Sequence, residues 1–170
     1  MNDSRLGFIK ILKKMGAGII VQNKKNINGE KVGDLQVYYK PLYGININRN
    51  DISSMIDELP ILAIVATQSE GLTIISGAEE LRNKESDRIK AICLNLKAMG
   101  SKVIEKKDGF IIEGPSILNS VMIKSYNDHR IAMSFIIAGI SSGNYNEIDD
   151  TKCINSSYPE FINTLKTIIR

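Results

Sequence analysis

The sequence predicts an α/β domain built from two copies of one helix–strand unit. Two observations carry this. Apolar residues switch repeatedly between a helical and an alternating period along the chain. Leu12-Lys-Lys-Met-Gly-Ala-Gly-Ile19 also matches Leu96-Lys-Ala-Met-Gly-Ser-Lys-Val103, 84 residues further on, and in each a helical stretch ends at Met-Gly and turns into a strand. Two copies are too few for an open solenoid, which needs about three. A closed domain with internal pseudo-symmetry is expected over residues 1–170, with units at about 5–77 and 83–150 and a terminal helix.

Taken in order, Arg5 to Met15 places Leu6, Ile9, Leu12 and Met15 on one helical face, and Gly16 stops the helix. Gly18 to Gln22 is extended, Gly33 to Tyr39 alternates as a strand, and Ile45 with Ile47 forms a short third strand. A helix follows from about Glu58 to Gln68, with Pro60 tolerated because it lies in the first turn. Gly71 to Ser76 closes the first unit as a strand, and Gly77 to Arg82 joins it to the second.

The second unit opens with a helix carrying Ile89, Ile92, Cys93 and Leu96. It continues through a hairpin, Val103 to Glu105 and Phe110 to Glu113, turned at Lys107-Asp108-Gly109. A strand from Val121 to Ser125 leads into a helix from His129 to Ile140, and strand Glu147 to Asp149 completes it. A last helix runs from Pro159 to Ile169. If rotation relates the copies, equivalent helices run nearly parallel and gather their N-termini on one side.

Composition excludes several classes. With 43% hydrophobic and 24% charged residues, the chain fills a core and is not disordered. The longest nearly apolar run, Leu59 to Ala66, contains a proline and is far shorter than the roughly 20 residues of a membrane span. A net charge of +3 and 6% aromatics give no nucleic-acid footprint. Met-Asn-Asp-Ser-Arg has no apolar stretch behind it, so the chain reads as cytoplasmic. Cys93 and Cys153 show no CxxC spacing, and with one histidine no metal site is expected; the thiols read as unpaired in a reducing compartment.

Charged groups crowd the starts of three helices. Asp57 precedes Pro60 and reads as an N-cap, a role compatible with that of a general base. Arg82-Asn-Lys-Glu-Ser-Asp-Arg88 opens the next helix, with Lys84 and Arg88 spaced to share a face and Glu85 able to pair with Arg88. Two cations there oppose the helix dipole, so they read equally as a solvated turn or as an answer to an anionic ligand. Asn127-Asp128-His129-Arg130 repeats the theme of a cap candidate followed by two potential cations. Gathered together, the three termini make an anion-binding floor with acids among the cations.

Leu81-Arg-Asn-Lys-Glu-Ser-Asp-Arg88 and Asn127-Asp-His-Arg-Ile-Ala-Met133 closely resemble signatures of the EPSP synthase (3-phosphoshikimate 1-carboxyvinyltransferase) family. Met55-Ile-Asp-Glu-Leu-Pro-Ile61 and Tyr158-Pro-Glu-Phe161 are similar to it in the same order, and the likeness runs from about Arg5 to the end. The resemblance implies most of one inside-out α/β domain of the enolpyruvyl transferase fold, with helices inside and sheets outside. It also implies transfer of a carboxyvinyl group from phosphoenolpyruvate to the 5-hydroxyl of shikimate 3-phosphate, without a cofactor. By that analogy Asp57 is the proton acceptor and touches shikimate 3-phosphate, Lys84 contacts the same substrate, and Glu85 is the proton donor. Arg88 and Arg130 hold the phosphoenolpyruvate carboxylate, with His129 beside them.

The sequence departs from the family in places. Some members carry a lysine where Ser156 stands, and some an asparagine substrate contact where Glu80 aligns. Members are more than twice as long, with the active site between two domains, and the likeness here is to the later part of the second. The first domain, with its substrate-binding lysine, serines, arginine and glutamine, is the expected partner, and the chain alone is expected to be inactive. A non-catalytic anion-binding module is the alternative reading. The related UDP-N-acetylglucosamine enolpyruvyl transferase shares the fold but not the two signatures.

Overall fold

A computed structural model describes residues 5–143 and 145–169; the opening Met-Asn-Asp-Ser lies outside them. The first elements are α1 (Gly7–Lys14), β1 (Gly18–Ile27), β2 (Glu30–Tyr38), β3 (Asn46–Ile47), α2 (Arg49–Ile52), α3 (Leu59–Thr67) and β4 (Gly71–Ile75). Then come α4 (Arg88–Ala98), β5 (Lys102–Lys106), β6 (Gly109–Gly114), β7 (Met122–Ile123), α5 (His129–Ser141), β8 (Glu147–Ile148) and α6 (Phe161–Ile168). Single 3-10 turns occupy Ile56–Glu58, Glu79–Asn83 and Lys152–Ser156.

The sequence of a helix, a hairpin, a strand, a helix and a strand runs from α1 to β4 and again from α4 to β8. β3 pairs parallel with β4, and β7 parallel with β8. β6 joins the first parallel pair antiparallel, giving a four-stranded sheet β3-β4-β6-β5. The hairpin β1–β2 and the pair β7–β8 each stand as two-stranded sheets.

Helices α3, α4 and α5 sit inside. Leu-Pro-Ile-Leu-Ala-Ile-Val-Ala-Thr of α3 is apolar on every side, and seven of its nine residues are buried. It packs on α5 and β6, while α4 backs β5 and β6. Phe110 and Phe135 are fully buried among them, whereas Leu72 and Ile104 on the strands face outward. Burying each such large side chain contributes roughly 1.5–3 kcal/mol. The mixed α/β class is as expected, with sheets outside and helices within.

Several local expectations are corrected. α1 buries Gly7, Ile11 and Met15, with Phe8 and Leu12 alongside, rather than a face containing Leu6 and Ile9. Gly7 sets this rotation: a Cβ there would collide with Ser54, so the glycine edge of the helix makes the close approach. The first strands are one long hairpin from Gly18↔Tyr38 to Ile27↔Glu30, turned at Asn28-Gly29, both left-handed. Its tip is exposed on both faces and so shows no hydrophobic period. The short α2 was not foreseen; Asn48 and Asp51 form its reciprocal capping box. β7 and α6 are shorter than the predicted strand and helix.

Two asparagines, buried Asn95 and half-buried Asn146, fix the strands to the helices. Asn95, in the apolar stripe of α4, donates to the Lys124 carbonyl at 2.9 Å and accepts from the Lys124 amide at 3.0 Å. Asn146 does the same work beside β8, accepting from the Val121 amide and donating to the Phe135 carbonyl. Both therefore set where β7 and β8 lie relative to α4 and α5.

Thr73 Oγ1 on β4 is buried with no hydrogen-bond partner among the described residues. Burying a hydroxyl unpaired costs more than burying a methyl group. Thr73→Val is therefore expected to raise stability by about 1 kcal/mol, read as a higher urea midpoint at unchanged slope.

Candidate active site

Three chain segments converge on the Arg88 guanidinium. Arg88 is the first residue of α4, and Asp87 caps that helix by accepting from the Lys90 amide. Asp128 caps α5, accepting from the Arg130 and Ile131 amides at 2.9 and 3.4 Å. Tyr126 and Asn127 both adopt positive φ immediately before it, and this sharp turn delivers Asp128 to the cap. Asp57 lies in the 3-10 turn that leads into α3.

Arg88 is 1% exposed, and all three of its nitrogens are engaged. Nε donates to Asp128 Oδ2 at 2.8 Å, Nη1 to Asp57 Oδ1 at 3.2 Å, and Nη2 to Glu85 Oε2 at 2.6 Å. Asp128 is fully buried and also accepts from Ser86 Oγ at 3.0 Å. Burial by itself would raise its carboxyl, but the Arg88 bond and charge and the Arg130 and Ser86 donors hold it below the usual carboxylate range. On the solvent side Arg88 is closed by Glu85, half exposed, and Asp57, a quarter exposed. An anion reaches this guanidinium only by replacing one of those two acids.

Arg130 stands next in the cluster. Its Nη1 donates to the Asp57 carbonyl at 3.2 Å, and its Nη2 lies 3.6 Å from Asp57 Oδ2. A cavity of about 210 Å³ opens beside them, lined by Asp57, Ile61, Arg130, Met133, Tyr158 and Phe161. The rings of Tyr158 and Phe161 meet edge-on at 5.9 Å, which draws the Tyr-Pro-Glu-Phe segment up to the site.

The structure thus brings together Asp57, Glu85, Arg88 and Arg130. His129, the first residue of α5, is partly exposed next to Arg130. Lys84 is corrected: it lies before α4 in extended backbone and pairs with Glu80 at 3.3 Å, so it does not share a helical face with Arg88. Asp57 is corrected too, since its carboxylate serves Arg88 rather than capping α3, whose N-cap is Glu58. Arg82 lies outside the cluster, tied to Asp87, Glu105 and the β5–β6 turn. Ser156 donates to the Cys153 carbonyl within its own turn.

Asp128 and Ser86 are the members that the sequence did not single out as site residues. An N-cap aspartate followed by two cations was visible; its grip on an arginine 40 residues earlier was not. No group of three or more metal-ligating side chains occurs among the described residues, and none of their helices is long and apolar enough to cross a membrane.

Residues 2–165 match the family described as EPSP synthase (3-phosphoshikimate 1-carboxyvinyltransferase). A protein of that name from Oceanobacillus iheyensis is 44% identical over 170 residues, covering 100% of this chain and 40% of its own length. One from Persephonella marina is 49% identical, covering 99% and 39%. The solved EPSP synthase of Acinetobacter baumannii superposes with a TM-score of 0.93 at 38% identity, over 98% of this chain and 39% of that one. An enolpyruvyl transferase from Streptomyces tendae shares the fold at a TM-score of 0.69 and 16% identity. The chain spans about two fifths of the length of the relatives it matches. Its signatures, its fold and these likenesses over nearly every residue agree: the chain belongs to the EPSP synthase family.

Proposed function

We propose that this chain supplies one side of an active site that transfers the carboxyvinyl group of phosphoenolpyruvate to the 5-hydroxyl of shikimate 3-phosphate and releases phosphate. The observation that carries the reading is the convergence of Asp57, Glu85, Arg88 and Arg130 from three helix starts into one chain of direct contacts. Asp57 accepts the hydroxyl proton as the oxygen attacks the enol carbon. Glu85 gives a proton to the methylene carbon, and the two transfers leave a tetrahedral adduct. Its collapse breaks the carbon–phosphate oxygen bond, returns the methyl proton to a carboxylate, and frees phosphate.

The apo contacts suit this order of events. The planar guanidiniums of Arg88 and Arg130 match the phosphoenolpyruvate carboxylate. When that carboxylate takes the Nη2 edge of Arg88, Glu85 is freed from the arginine it now neutralises and can carry a proton. Lys84, a quarter exposed, needs only to leave Glu80 to reach shikimate 3-phosphate. His129 lies beside the arginine pair.

Charge also argues for a partner. Arg88 and Arg130 stand against the three carboxylates of Asp57, Glu85 and Asp128, and Lys84 is matched by Glu80. A cluster without net positive charge cannot offset the repulsion between two polyanionic substrates, so further cations must come from elsewhere. The family's other domain is the proposed source, in cis or in trans, and the chain alone turns over negligibly. Residues 5–77 and 83–150 are the proposed pseudo-repeats of this domain, and the cytoplasm is its proposed compartment.

Titrating the chain with phosphoenolpyruvate while observing the arginine side-chain N–H resonances tests the half-site. The Arg88 and Arg130 signals are expected to shift, and the shift to vanish in Arg88→Lys. Unmoved signals at saturating phosphoenolpyruvate would remove the proposed role of both arginines.

A further inference from the structure

Lys84 and Glu85 lie in a short stretch between the 3-10 turn Glu79–Asn83 and the start of α4, outside any helix or strand. Each is held by a side-chain contact that the proposed substrates would break. Lys84 pairs with Glu80 at 3.3 Å, and Glu85 accepts from Arg88 at 2.6 Å. Once those contacts are gone, only the backbone on either side keeps the two residues over the site.

Arg82 supplies that hold. Its Nε donates to the Lys107 carbonyl at 2.8 Å and its Nη2 to the Lys106 carbonyl at 2.6 Å, where β5 turns into β6. Nη2 also donates to Glu105 Oε1 at 3.0 Å, and Nη1 to Asp87 Oδ2 at 2.8 Å. Asp87 divides its oxygens, because its Oδ1 caps α4 by accepting from the Lys90 amide at 3.0 Å. One planar guanidinium thus ties the sheet to the cap of α4 and closes residues 83–86 into a loop.

The same turn grips the chain a few residues earlier. Asp108 Oδ2 accepts from the Gly77 amide at 2.8 Å, and the Asp108 carbonyl accepts from the Ala78 amide at 2.7 Å. Leu81 beside them is fully buried. The strip 77–82 is therefore fastened at both ends, and only 83–86 projects to the site. A surface ion pair is worth little. Arg82 is different: its side chain is only a quarter exposed, and two of its bonds go to main-chain carbonyls that cannot swing away.

We infer that Arg82 is a positioning residue: through the β5–β6 turn and Asp87 it keeps Lys84 and Glu85 over the site after substrates release them from Glu80 and Arg88. The inference rests on the roles proposed above for those two residues. Arg88 and Arg130 have other anchors, Asp128 and Asp57, so they keep their places without Arg82.

Backbone amide relaxation of the chain alone, measured by NMR, reads the hold directly. In Arg82→Met the order parameters of 83–86 are expected to fall from about 0.85 to below about 0.6, while those of α4 and α5 stay level. In the enzyme completed by the family's other domain, Arg82→Met is expected to raise the KM for shikimate 3-phosphate and lower kcat, each by about tenfold or more. The KM for phosphoenolpyruvate is expected to stay unchanged. Simple loss of folded protein would lower kcat alone. Arg82→Lys keeps the charge but cannot span the turn and Asp87 together, so the same split is expected at smaller size. Unchanged order parameters at 83–86, or a fall shared by the whole chain, would overturn the inference. So would unchanged kinetics, or an equal rise in both KM values, where wild-type turnover shows that the site works. An associated wild-type mixture without turnover would sink the catalytic reading itself, and the positioning role with it, whatever the order parameters show.

Discussion

Asp128→Ala is expected to lower folding stability by about 3–5 kcal/mol, because it leaves the buried Arg88 charge without its fully buried partner. The same change strips the N-cap of α5, which alone costs about 1 kcal/mol. Asp128→Asn keeps a capping oxygen and the side-chain volume, so its loss should be smaller, about 1–3 kcal/mol. Arg88→Met strands the aspartate instead, and the double variant Arg88→Met/Asp128→Asn should cost less than the two singles together by at least about 1 kcal/mol. Urea unfolding of the four proteins gives the comparison; additive losses would mean that the pair does not act as a unit. The pH dependence has a definite sign. The folded carboxyl of Asp128 is depressed, so its contribution is full above the ordinary aspartate range and is lost as pH falls through the lower folded value. The wild-type chain should therefore lose stability more steeply in acid than Asp128→Asn.

The second large effect is on turnover. In the enzyme completed by the family's other domain, Asp57→Asn and Glu85→Gln are each expected to reduce kcat by about 10²–10⁴-fold, the usual contribution of a positioned acid or base. The two differ in what else they disturb. The Asp57 carboxylate also spans both arginines, Arg88 at 3.2 Å and Arg130 at 3.6 Å, so its replacement should loosen their placement and weaken phosphoenolpyruvate binding as well. Glu85 contacts Arg88 from a half-exposed side chain, and Glu85→Gln removes a competitor for that arginine. Its KM for phosphoenolpyruvate is expected to stay level or fall while kcat collapses. A rise in KM with kcat unchanged would assign Glu85 to binding rather than proton transfer.

What the sequence revealed follows from how local the signal is. The starts of α4 and α5, the proline in the first turn of α3 and the second hairpin are written in neighbouring residues. The first hairpin was half missed because its outer residues meet water on both faces, although Asn28-Gly29 carried the turn signal. α2 was missed because four residues are too few for a period; only Asn48 and Asp51 marked it. At the site, the charged residues were visible and their wiring was not. Arg88 is bound by acids 3, 31 and 40 positions away, and only the nearest is a sequence neighbour. Burial therefore turned what read as a cation in an exposed first turn into the closed centre of the cluster. Lys84 moved the other way, because the chain enters the helix only after passing it.

The proposed role of this chain is to hold one side of a carboxyvinyl-transferring site. Its most direct test is phosphate release from phosphoenolpyruvate and shikimate 3-phosphate, measured with the chain alone and with the remaining part of the Oceanobacillus iheyensis relative added in trans. Release is expected only in the mixture and is abolished by Asp57→Asn. Release by the chain alone, or silence in a mixture whose two parts demonstrably associate, would contradict it.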